Sequence, residues 1–92
     1  MRKFFKPSHP DKRNTYAITT GDYVGEMFIY IKSTDTHYEF LSIPKNINRS
    51  VPKEKFELGL QTNIIEFVER IPRSIYKVIR AQFISNETIN LG

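Results

Sequence analysis

The stretch from Asn14 to Ile43 constrains this chain most, because apolar and polar residues alternate through it around two turn signals, Gly21-Asp22 and Ser33-Thr34-Asp35-Thr36. A period of two is the mark of strands, and glycine at the first central position suits a two-residue hairpin. Together they predict an antiparallel meander of three strands. The first turn pairs Thr20 with Tyr23, Ile18 with Gly25 and Tyr16 with Met27; the second pairs Lys32 with His37, Ile31 with Tyr38 and Ile29 with Phe40. One face then collects Tyr16, Ile18, Met27, Ile29, Ile31, Tyr38 and Phe40 as a core. The other presents Phe28, Tyr30, Lys32, His37, Glu39 and Leu41, beside Ala17 and Thr19. This sorting depends on loop length, since a slip of one residue turns a whole strand over.

Beyond the meander, Pro44 ends the third strand because proline cannot donate to the ladder, and "KNINRSV" reads as a polar loop. From Pro52 to Ile71, Phe56, Leu60, Ile64, Phe67, Val68 and Ile71 fall on one side of a helix, which favours a single bent helix. Gly59 and the pair Thr62-Asn63 fit the alternative, a helix that stops there and a fourth strand over residues 64 to 71. Pro72 suits the first turn of a last helix running to about Asn86, with Ile75, Tyr76, Val78, Ile79 and Phe83 on one side and Arg73, Lys77 and Arg80 opposite. The expected fold class is therefore α+β: a small antiparallel meander of three strands, or four, its apolar face packed by one or two C-terminal helices. The 92 residues allow one such domain, over 15 to 88, after a basic arm at 1 to 14 and before a frayed end at 89 to 92.

The arm sets the charge. Arg2, Lys3, Lys6, Lys12 and Arg13 stand there against Asp11 alone, a surplus equal to the net charge of +4 of the whole chain. Such a segment either grips a polyanion or is a solvated tail, and the tail is the plainer reading. Phe4-Phe5 within it can stack on bases or dock on the domain. Arg73, Lys77 and Arg80 form a second basic stripe, which together with the arm makes the case for nucleic-acid binding.

Aromatics among charges on the second sheet face, Phe28, Tyr30, Lys32, His37, Glu39 and Leu41, make it an interaction face. The expected function is a small non-enzymatic interaction or accessory module that binds protein, either a partner or a second copy in a homo-oligomer, through that face. A nucleic-acid-binding module using the arm and the helix stripe is the alternative.

Chemistry is sparsely signalled. Without cysteine there is no thiol nucleophile or thiolate metal site, and His9 and His37 form no cluster of metal-ligand spacing. No phosphate-binding glycine loop or nucleophile elbow occurs, so no catalytic, metal or cofactor residue is assigned. Lys32, His37 and Glu39 share a face and offer a minor reading as a metal-independent ribonuclease. Phe4-Phe5 is followed by Lys6-Pro7 rather than by a secretory apolar run, and no stretch reaches the length of a membrane span, so a cytoplasmic protein without membrane contact is expected. The segments "LSIPKNINRSVP" and "NIIEFVERIPRSIYKV" have the style of short bacterial proteins but carry no family motif.

Overall fold

The computed structural model describes residues 10 to 91, with side chains as far as Glu87. Strands β1 (Asn14–Ile18), β2 (Met27–Ser33), β3 (His37–Ile43) and β4 (Ile47–Pro52) precede helix α1 (Lys53–Gln61), then β5 (Ile65–Arg70) and helix α2 (Arg73–Leu91). The fold is α+β. One five-stranded antiparallel sheet has the order β4-β3-β2-β1-β5, so that β1 to β4 form the meander and β5 returns beside β1 as an edge.

Two single-residue slips, one on each side of β2, correct the predicted sorting. Tyr16 lies opposite Phe28 and Ala17 opposite Met27, not Tyr16 opposite Met27. The two-residue turn gives way to a longer loop, in which Gly21 and Gly25 both take positive φ, +89° and +97°. On the other side, Tyr30 lies opposite Phe40 and Lys32 opposite Glu39, leaving Ile31 as a bulge. A bulge changes the register by one residue and reverses the facing of the residues beyond it. Strand β2 is thereby turned over as far as Ile31 relative to the expectation, while Lys32 beyond the bulge stays beside Glu39 and β1 and β3 keep their faces.

As a result both faces of the sheet are apolar. Tyr16, Phe28, Tyr30, Tyr38 and Phe40 pack under Phe56 and Leu60 of α1. Ile31 and Leu41 pack under Phe83 of α2, with Ile43, Tyr76 and Ile79 around them. The aromatic side is built from edge contacts, such as Tyr16 on Phe56 at 5.1 Å and Tyr38 on Phe56 at 5.4 Å, the arrangement ring quadrupoles prefer. Burial of these rings is the main term holding α1 in place.

Between Pro52 and Ile71 the favoured single helix is not the structure that forms. Helix α1 ends with Thr62 donating its N–H and hydroxyl to the Leu58 carbonyl, and Asn63 comes next at φ 64°, the left-handed conformation that stops a helix. The chain then re-enters the sheet as β5, the alternative drawn from Gly59 and Thr62-Asn63. Gly59 lies in the helix because α1 crosses β5 closely there: a Cβ on it would stand 2.6 Å from Ile65 Cδ1. The "KNINRSV" loop is mostly strand β4, reached by a tight turn through Asn46 at φ 60°. Helix α2 starts at Arg73 as expected and continues to Leu91, beyond Asn86. No helix among the described residues is long and apolar enough to cross a membrane.

Candidate functional site

The predicted interaction face is dispersed. Phe28 and Tyr30 are buried beneath α1 and Leu41 beneath α2, on opposite sides of the sheet. Phe28 and Tyr30 go under α1 because β2 is turned over, and Leu41 is covered because α2 packs on the other face. Lys32, His37 and Glu39 do stay together on the α2 side. There Lys32 pairs with Glu87 at 3.4 Å and lies 5.7 Å over the Phe83 ring, while His37 Nδ1 is 2.8 Å from the Thr36 hydroxyl.

Apolar residues are exposed elsewhere: Ile75 and Val78 on α2, expected on its inward side, and a group beside α1. Leu58 is 58% exposed, Ile64 45% and Tyr23 45%. They rim a groove of about 560 Å³, with Ile18, Phe28 and Ile65 along its walls. The origin is local. Leu58 lies on the outer flank of α1 while Phe56 and Leu60 point inward, and Ile64 sits in the short link between α1 and β5. Tyr23 is carried by the β1–β2 loop and meets the Phe28 ring edge-on at 6.4 Å.

A buried acid orders one wall of this groove. Glu26 is 4% exposed; it accepts from the Ser42 hydroxyl at 2.5 Å and from Arg49 Nε and Nη2 at 3.3 and 3.1 Å, and it pairs with Lys45 at 3.1 Å. The Ser42 hydrogen bond, with those of Arg49 and Lys45 after it, outweighs burial and holds the carboxyl down to about 2. Thus fixed, the Arg49 guanidinium lies 4.9 Å over the Tyr23 ring. Across α1, Tyr38 donates its hydroxyl to Glu57 at 2.7 Å; burial first, then that carboxylate, pushes the phenol up. The groove lining contains Arg49 and Lys55 and no carboxylate. Sequence reasoning passed over Leu58 and over Glu26, which stands next to a strand with no motif around it, and it placed Ile64 on the apolar side of a single helix, whereas Ile64 is exposed.

The basic residues divide differently. Arg2, Lys3 and Lys6 lie outside the described residues. Arg13 accepts a hydrogen bond from the Ile71 N–H through its carbonyl at 2.9 Å, and Asn14 pairs with Arg70, so the root of the arm sits where α2 begins. Arg73, Lys77 and Arg80 are exposed along α2. Among the described residues neither these three nor Lys12, Arg13 and Arg70 enter an ion pair.

On the α2 side, Thr15 Oγ1 and Tyr76 OH are buried without a hydrogen-bond partner among the described residues. Among the described residues no group of three or more histidine, aspartate or glutamate side chains is placed to hold a metal ion. No protein-family model, curated protein or solved structure matches this chain.

Proposed function

We propose that this chain is a non-enzymatic interaction module that binds another protein, through the groove beside α1 rather than through the sheet face. The observation that carries the reading is the groove's composition: exposed Leu58, Ile64 and Tyr23 around an apolar floor, with Arg49 and Lys55 as its charged groups. Isolated exposed apolar residues are ordinary, but a contiguous concave patch of them on so small a domain is an interaction surface. Its complement is an amphipathic segment that buries leucine-like side chains and carries carboxylates along its flank. Anchors of this kind supply most of an interface's energy, with the charges fixing register.

Chemical-shift mapping with a helical model peptide of leucine and glutamate tests it. Shifts at Tyr23, Leu58 and Ile64 that disappear in Leu58→Asp are expected. Absence of shifts there at millimolar peptide, or shifts confined to α2, would reject the reading.

A second reading is favoured by one contact, the Ile71 to Arg13 hydrogen bond, which brings the root of the arm to the head of the basic stripe. Lys12, Arg13, Arg70, Arg73, Lys77 and Arg80 then make a nucleic-acid-binding edge that touches phosphates. Binding to random single-stranded RNA is expected to weaken about a hundredfold as salt rises from about 50 to about 200 mM, if some four to five phosphates are contacted. Binding that is flat in salt would count against it.

A further inference from the structure

We infer that a second groove, the one between α1 and the edge strand β5, is a nucleobase pocket that takes one unstacked base of a single strand. The inference rests on the second reading above, the basic edge from Lys12 to Arg80, and gives that edge a place for a base. The groove has a volume of about 510 Å³, within the range of sites for small organic ligands. Tyr16, Ile65 and Phe67 form apolar walls, and Asp11, Asn14, Glu66 and Arg70 bring polar groups to it. Phe67 selects the ligand. It is 55% exposed although its ring meets Tyr16 edge-on at 6.0 Å, so aromatic surface is left open on which a flat ring can stack. The strand puts it there: β5 is buried at Ile65 and exposed after it, and among the described residues no strand lies beyond it.

Hydrogen-bonding groups gather beside that ring. Asn14 donates from its Nδ2 to the Tyr16 hydroxyl at 3.0 Å and from its backbone N–H to the Asp11 carbonyl at 3.1 Å, which brings carboxamide, phenol and Asp11 together. Burial, and after it the nearby Asp11 carboxylate, raise the Tyr16 phenol above its ordinary value. The edge of a base carries donors and acceptors side by side, and a carboxylate next to a carboxamide offers partners for both.

Charge decides how the strand lies. Asp11 and Glu66 make the groove a poor place for phosphate, so the neutral base enters and its phosphate stays outside. Arg70, also on the lining, pairs with Asn14 in the sheet, next to the Ile71 to Arg13 hydrogen bond that leads into Arg73. Cations thus begin at the groove and continue along α2, and among the described residues none of them enters an ion pair. Phosphates on either side of an inserted base follow this row. A cationic side chain suits the same two acids but is repelled by the row.

The test is fluorescence anisotropy with a single-stranded oligoadenylate, an abasic strand of the same length and the duplex, using the intact chain, Phe67→Leu and Phe67→Tyr. The oligoadenylate is expected to bind the intact chain about tenfold or more tightly than the other two. Phe67→Leu should lose that advantage and Phe67→Tyr keep it, with the salt dependence unchanged in both. Nuclear Overhauser contacts from adenine protons to the Phe67 ring are expected in the intact chain, a readout that needs no variant to fold. Salt-steep binding without preference for the strand that carries bases would overturn the pocket and leave the basic edge standing. Binding that is absent, or flat in salt, would remove both. Contacts from adenine to other residues alone, or adenosine monophosphate bound as tightly as the strand, would also overturn the inference, the last by making the ligand a free nucleotide.

Discussion

Glu26 is the residue on which local order beside the Leu58 groove turns. Its carboxyl lies at about 2 when folded, below the ordinary carboxylate range, so the unfolded chain binds its proton first on acidification. Its contribution to stability is therefore complete above the unfolded value, about 4.5, and is lost as pH falls from there towards about 2. Thermal unfolding monitored from neutral pH into acid should show a fall in that window which Glu26→Gln flattens. Glu26→Ala is expected to lose about 2–4 kcal/mol in denaturant titrations, because Ser42 and Arg49 are left with unanswered polar groups. Gly59 makes a different prediction. Alanine ordinarily stabilises a helix by about 0.5–1 kcal/mol over glycine, but here its methyl would press on the buried Ile65 side chain. Gly59→Ala is expected to destabilise by about 1–2 kcal/mol net, overpacking exceeding propensity; a gain would show that α1 is free to lift from β5. Neither role is readable from the sequence. Gly59 looks there like a flaw in a helix, and Glu26 like one more surface acid after a turn.

At the scale of elements, strand and helix identity were more legible than facing. The alternation in β1 and β3 placed Tyr16, Tyr38 and Phe40 on one side correctly, and Pro72 marked the start of α2 to the residue. Strand β2 escaped because "MFIYI" is apolar at every position: burial on both faces erases the alternation that would fix register. Nothing local then distinguishes the bulge at Ile31 or the odd loop before Met27. Strand β4 was hidden for the opposite reason, an edge strand of largely polar, half-exposed residues, "INRSVP", that resembles a loop. The β1–β2 loop itself is testable. A Cβ on Gly25 would meet nothing within 4 Å, yet its φ of +97° is one that other residues rarely adopt. Gly25→Val should cost about 1–2 kcal/mol through the backbone alone, measured by denaturant midpoint, and a neutral result would mean that the loop can re-form with the two-residue turn.

Across the whole molecule, the central strands are consumed as core on both sides, and the exposed apolar and basic surfaces of the described residues lie around the margins of α1 and along α2. Charge divides them: Arg49 and Lys55 at the groove beside Leu58, and a basic row of Arg13, Arg70, Arg73, Lys77 and Arg80 that enters no ion pair among the described residues. Composition alone located the surplus of charge in the arm, but not that the arm's root meets α2, because that contact depends on β5 returning beside β1. The central claim is that the groove beside α1 accepts apolar segments flanked by acids. Its most direct measurement is the affinity of two helical peptides with identical leucine positions, one bearing glutamates and one lysines, for the intact chain and for Lys55→Glu. The glutamate peptide is expected to bind about tenfold or more tightly than the lysine peptide, and Lys55→Glu to narrow or reverse the preference. Equal affinity of both peptides for the intact chain, or a preference indifferent to Lys55, would contradict it.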